Sequence, residues 1–245
     1  VNAGLIALVL GLAATSCAFA QHEAELDAAN TNIANTASLQ RGAKYFVNYC
    51  LGCHSAQYVR YNRLAQDLQL TEEQLVQNLM FTGERPFDTM ANALRPEDAE
   101  RWFGIAPPDL SLIARSRGTD YLYTFLRSFY EDPSSPTGVD NVVLPGTAMP
   151  HVLWQLQGTQ RAVFATSDEQ GVHEERFEGF ELHRPGDLSE SEFDEVVRDI
   201  VNFLDYIGEP MKRERQSLGI RVIAFLLVFL LIAYLLKKEI WKDVE

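Results

Sequence analysis

Apolar positions recur with the 3.6-residue period of an amphipathic helix in several stretches of the chain. Leu39, Ala43, Phe46, Val47 and Cys50 share one face of a predicted helix over 39–50, with Ser38 as its N-cap. Residues 71–81 read as a second helix, opened by Thr71 and Gln74 in a capping box. Residues 120–130 form a third, rich in aromatic side chains. The clearest is the last: Ser189 and Glu192 make a capping box, and Phe193, Val196, Val197, Ile200, Leu204 and Ile207 form one apolar stripe, ended by Gly208 and Pro210. Imperfect alternation over 160–166 and 172–182 predicts a small hairpin about 167–171. The polar stretch 21–37 wraps the surface, Pro107 and Pro108 force a turn at 104–110, and 132–150 is a long loop with four prolines and two glycines. The pattern is mainly α with long loops, and shows neither an internal repeat nor a low-complexity tract.

Two stretches are apolar on all faces, and they differ in kind. Residues 1–20 hold a short run, Leu5–Leu12, and then small residues ending Ala18-Phe19-Ala20, the pattern of a leader peptide cleaved after Ala20. Leu218–Leu236 is 19 residues long with one charge, Arg221, near its start. At ~1.5 Å per residue such a helix spans roughly the bilayer's hydrocarbon core. Tyr234, Trp241, Lys237, Lys238 and Lys242 suit its interface. Basic residues flank it on both sides, so they do not orient it. The leader does: 21–217 is exported, 218–236 is a transmembrane anchor and 237–245 stays in the cytoplasm.

Charge sharpens this division. The chain carries a net −13; its first 20 residues are uncharged, and from Lys212 onward seven Lys and Arg outnumber four Asp and Glu, so residues 21–211 hold −16. That acidity excludes a phosphate-binding face and hence nucleic acid. The carboxylates of 169–181 and 187–199 can steer a basic partner or serve as solvated surface. Three cysteines, Cys17, Cys50 and Cys53, are too few for a disulfide framework.

Chemistry concentrates at Cys50-Leu-Gly-Cys53-His54. A structural zinc site needs four ligands, and no further cysteine follows. A redox dithiol belongs in a βαβ setting, whereas this pair closes a helix. Covalent haem attachment accounts for every residue: two thiols for two vinyl groups, and the adjacent imidazole for the iron. One motif means one haem c. Candidates for the sixth ligand are His22, His151, His173, His183, Met80, Met90, Met149 and Met211. Met149 is favoured, because the loop carrying it is stiffened by Pro150, with His151 as nearest rival. A His/Met pair fills both axial positions and suits electron transfer over oxygen chemistry.

Several motifs in order resemble the cytochrome c1 family of haem subunits from cytochrome bc1 complexes, in its bacterial form: YCLGCHSAQYVRYNRL at 49–64, APPDLSLIARSRGTDYL at 106–122, LPGTAMPHVL at 144–153, FLDYIGEPMKRER at 203–215, and the single C-terminal anchor. The resemblance implies a class I-like cytochrome c domain with long loop insertions. It implies thioethers at Cys50 and Cys53, and axial ligands His54 and Met149. It also implies a haem-propionate arginine, with Arg117 the better match and Arg115 the alternative. Tyr121 falls beside the haem, and Pro107 and Pro108 form a wall on the His54 side. Residues 154–188 are the least family-like. The implied function is electron relay in the respiratory chain, from a Rieske iron–sulfur subunit to a soluble or tethered cytochrome c, with cytochrome b as neighbour in a dimeric complex. The implied place is the bacterial inner membrane, in contact with lipid, with the haem domain periplasmic and no side chain acting as acid, base or nucleophile. The alternatives are an anchored cytochrome of another oxidase or dehydrogenase, and a haem enzyme or gas sensor with an open sixth site.

Overall fold

The computed structural model describes the backbone of residues 25–169 and 172–243. The expected leader, Cys17, His22 and the side chain of His173 lie outside the described residues. The helices are α1 (Thr36–Tyr45), which runs into a π-helical turn (Phe46–Cys50), α2 (Tyr61–Asp67), α3 (Glu72–Asn78), α4 (Pro96–Phe103) and α5 (Ile113–Arg117). They continue with α6 (Thr119–Arg127), α7 (Trp154–Gln157), α8 (Glu190–Gly208) and α9 (Lys212–Ile240). Three antiparallel strand pairs accompany them: β1 (Ala56–Arg60) with β2 (Thr89–Met90), β3 (Phe129–Glu131) with β4 (Val139–Asn141), and β5 (Gly158–Glu169) with β6 (Val172–Pro185).

The core forms where α1, α6 and α5 pack on α8. The predicted stripe of α8 is buried, and so are Val201, Phe203 and Tyr206, so the second half of the helix is covered all round. Each such large apolar side chain contributes roughly 1.5–3 kcal/mol on burial. Both halves of the capping box are present: the Ser189 backbone N–H donates to Glu192 Oε2 at 2.9 Å, and the Glu192 N–H to Ser189 Oγ at 3.4 Å. Phe46 meets Phe203 with ring centroids 5.4 Å apart. At the crossing Gly42 lies so close to α8 that a Cβ there would overlap the Asp199 carbonyl and Phe203.

Ser38 is not the cap of α1. Asn35 is, its side chain accepting from the Ser38 N–H at 3.2 Å. The Ser38 hydroxyl instead donates to Asp199 Oδ1 at 2.6 Å, where Arg41 and Asn202 complete a buried network. A serine one turn inside a helix serves the partner helix when that helix offers a carboxylate. The stretch before α1 wraps the domain as expected: the Asp27 and Ala29 N–H groups donate to Thr124 Oγ1 and Asp120 Oδ1, each at 2.8 Å.

Helix α3 is shorter than its sequence pattern, although its Thr71/Gln74 capping box forms. Helices α2, α4 and α5 carry too few turns for a readable period. Gly104, at φ 78°, ends α4 and opens the predicted Pro107-Pro108 turn. The hairpin is larger than expected, pairing from Gly158↔Pro185 to Glu169↔Val172. Helix α9 is apolar enough to cross a bilayer, with a mean hydropathy of 2.6 over its best 18-residue window, none of which is buried in the protein.

Candidate haem site

The π-turn shapes the start of the site. The Leu51 N–H reaches back five residues to the Phe46 carbonyl at 2.9 Å, and the His54 and Cys53 N–H groups both donate to the Cys50 carbonyl, at 2.8 and 3.1 Å. Such single π-turns gather at functional positions because they rotate the residues that follow. Phe46, Val47 and Leu51 enter the core, while Cys50 is half-buried and Cys53 is exposed. The two thiols are free. Burial, with Cys53 adding, pushes the Cys50 thiol up to about 12. An exchanging dithiol needs the reverse, a lowered thiolate. Among the described residues no group of three or more His, Cys, Asp and Glu could hold a metal ion.

His54 is presented in one tautomer. Its Nδ1 lies 2.8 Å from the Pro108 carbonyl oxygen. A carbonyl only accepts, so Nδ1 carries the hydrogen and Nε2 keeps a lone pair for a metal. Burial lowers the His54 pKa, partly opposed by the Pro108 bond, which keeps the ring neutral and able to ligate. The PPDLS segment is stapled alongside. The Leu110 N–H donates to the Ser55 carbonyl at 2.8 Å, the Gln57 N–H to Asp109 Oδ2 at 2.9 Å, and the Tyr58 N–H to Ser111 Oγ at 3.1 Å. Asn92 clips the other side, its amide donating to the Cys53 carbonyl and its backbone N–H to Ser55 Oγ. Asn92 gave no signal in the sequence, since its partners are backbone atoms and a serine distant along the chain.

Tyr49, Leu110, Tyr121, Phe125, Met149 and Val152 are partly buried apolar side chains packed on the core. Arg117 lies over the Tyr121 ring, 5.4 Å from its centroid. Arg115 instead lies beside Gly208 and Glu209 at the end of α8, so the two arginines serve different places. Two free sulfurs and one lone-pair imidazole fit a haem.

Met149 hangs in a loop tied at both ends. On one side Asp140 Oδ1 accepts from the Gly146 and Thr147 N–H groups at 2.8 and 3.3 Å, and Asn141 Oδ1 from Val143 and Leu144 at 2.9 and 3.2 Å. On the other side His151 is buried, with 7% of its surface exposed, and lies flat on Phe129 with centroids 5.1 Å apart and planes at 5°. Burial pushes the His151 pKa down to about 4. The remaining candidates with described side chains have other partners. Met80 and Met90 belong to the core, Met90 opposite Ala56 across β1 and β2. Met211 precedes α9, its sulfur 3.8 Å from Arg63 Nη2. His183 bonds Glu131 at 2.7 Å at the root of the hairpin.

A model described as the Cytochrome C1 family matches residues 29–160 and 184–244 of the chain. Cytochrome c1 of Allochromatium vinosum is 50% identical over 241 residues, covering 98% of both chains. The ammonia monooxygenase gamma subunit of Nitrosomonas europaea is 44% identical over 223 residues, covering 91% of this chain and 90% of that one. Cytochrome c1 of Rhodospirillum rubrum is 27% identical over 236 residues, covering 84% and 82%. Cys50, Cys53, His54, Asn92, Pro108, Arg117, Tyr121, Met149 and His151 lie inside the matched segments, and residues 161–183 of the hairpin lie between them.

Proposed function

The chain belongs to the cytochrome c1 family, and on that premise we propose that it is a membrane-anchored, mono-haem electron carrier passing electrons from a Rieske iron–sulfur subunit to a cytochrome c, beside cytochrome b in a dimeric bc1 complex. The observation that carries this reading is the presentation of Cys50 at the end of a π-turn, with Cys53 and a lone-pair His54 bonded back to its carbonyl, within the family match. Cys50 and Cys53 would hold the haem by thioethers, and His54 and Met149 would ligate its iron. When bound, that group supplies a one-electron couple. The chain's own residues hold and seal it. The Pro108 carbonyl fixes the His54 ring, Arg117 above Tyr121 would pair with a propionate, and the Met149 loop would supply the iron's second protein ligand. No side chain has to move a proton. Residues 21–217 form the periplasmic haem domain, 218–236 the span of the inner membrane and 237–245 the cytoplasmic tail.

The likeness to a chain named as an ammonia monooxygenase gamma subunit supports a second reading, in which the same carrier serves another membrane oxidoreductase. Purification of the haem-stained band from native membranes separates them. Co-purifying cytochrome b and iron–sulfur subunits support the first reading, and a monooxygenase supports the second. Replacing Met149 with Leu lowers the midpoint potential and opens the iron to carbon monoxide if Met149 is the ligand; an unchanged potential rejects it.

A further inference from the structure

Met149 is held by side chains that converge on one aromatic ladder. Tyr121 stacks on Phe125 with centroids 6.1 Å apart, Phe125 meets Phe129 edge-on at 5.1 Å, and Phe129 carries His151. The loop's other tie reaches the same ladder, because the Asn141 amide donates to the Phe125 carbonyl at 2.8 Å. Two residues before Met149, Thr147 is buried with its N–H on Asp140; two residues after it, His151 is buried on Phe129. Pro150 lies between Met149 and the imidazole, so the backbone from ligand to stack has little freedom. We propose that His151 is a positioning residue, whose flat stack on Phe129 sets the depth of the Met149 thioether against the iron. This rests on Met149 being the sixth ligand.

The stack fixes the plane of the His151 ring, whose Nε2 is buried without a hydrogen-bond partner. The His151 ring has one face on Phe129, itself almost wholly buried, and its edge lies beside the Gly158 backbone and the Gln157 side chain. The flat stack on Phe129 is therefore the contact through which residue 151 fixes the loop. Stacked ring pairs of this kind are worth enough to shift the balance between a bound and a released thioether by about tenfold.

The test uses full-length holoprotein in detergent with covalent haem verified by staining. The readouts are the red-edge absorption band of the oxidised iron–thioether bond, the midpoint potential, and the fraction of reduced haem that binds carbon monoxide. His151→Ala is expected to weaken the band, lower the potential and raise the carbon monoxide-binding fraction about tenfold. His151→Phe, which keeps the stack without a nitrogen, restores all three. Phe129→Leu, which leaves residue 151 untouched, behaves like His151→Ala and covers the case in which that variant does not accumulate. If His151→Ala and Phe129→Leu keep the band and exclude carbon monoxide while Met149→Leu does not, the positioning role is overturned and the ligand stands. If Met149→Leu changes nothing while His151→Phe loses the native spectrum, His151 is the ligand and both readings fail.

Discussion

Gly42 shows how little room the crossing of the two principal helices leaves. A methyl group there would overlap the Asp199 carbonyl oxygen and the Phe203 Cβ, and both belong to the buried half of α8. Gly42→Ala gains roughly 0.5–1 kcal/mol of helix propensity. It must also push α1 away from the Ser38–Asp199–Asn202 network and from Phe203. Overpacking of that kind costs ~1–3 kcal/mol, and breaking buried hydrogen bonds adds to it. The net expectation is a loss of about 2 kcal/mol, read as a fall of several degrees in thermal midpoint; a rise would show that the helices separate freely. Cys50, Cys53, His54 and Met149, the proposed haem ligands, could be picked out in the sequence because their own atoms would carry that chemistry. Gly42, Asn92 and the Pro108 carbonyl could not, because what matters at each is contact with chain more than thirty residues away. Ser38 misled for the same reason: its hydroxyl fits a cap by type, and only the approach of Asp199 draws it elsewhere.

Among the elements, α8 was readable from its capping box and stripe, whereas α2, α4 and α5 were not, having five to eight residues each. The hairpin was found but underestimated, because its strands extend through Gly158 and Pro185 into positions that read as turn. Gly158 and Gly186 approach too closely for any side chain, so the two arms leave the domain from one point. A two-stranded hairpin is marginal alone, and this one leans on the body through Tyr130 against Phe164 and through its root. Replacing residues 161–183 by a two-residue turn is therefore expected to leave the haem spectrum unchanged and the thermal midpoint within a few degrees. Loss of covalent haem would show that the arms support the site. The root carries a pH dependence of its own. Glu131 is held below its ordinary 4.5, chiefly by the hydrogen bond with His183, with Arg161 adding charge. A lowered carboxylate contributes its stability fully above 4.5 and loses it as pH falls through the folded value. Amide exchange near Gln160 and Leu182, corrected for intrinsic rate, is expected to quicken over that acid range. Glu131→Gln should remove the dependence.

Across the whole molecule, charge and hydropathy divide the chain more sharply than any fold boundary does. The acidic stretch 21–211 carries −16, while α9 buries none of its apolar surface in the protein. A helix apolar on every side and packed on nothing must be covered by lipid or by other helices. The junction is not a loose tether. Lys212 Nζ reaches both Asp205 carboxylate oxygens at 2.9 Å, and Arg215 pairs with Glu209. Asp205 of α8 also accepts from Thr31 at 3.1 Å, so one carboxylate takes bonds from both the N-terminal wrap and the start of the anchor helix. The cut that frees the haem domain therefore belongs after Ser217, where these pairs survive, and not after Gly208, where α8 would lose them. A chain ending at Ser217 is expected to leave the membrane fraction, remain monodisperse without detergent, and keep the potential and carbon monoxide exclusion of the full protein. A chain ending at Gly208 should be less stable by about 1–2 kcal/mol, because Asp205 loses its cation and becomes a poorly compensated buried charge. If the Ser217 chain instead aggregates or shifts its potential, α9 contributes to the haem domain directly and the anchor is part of the electron carrier's structure.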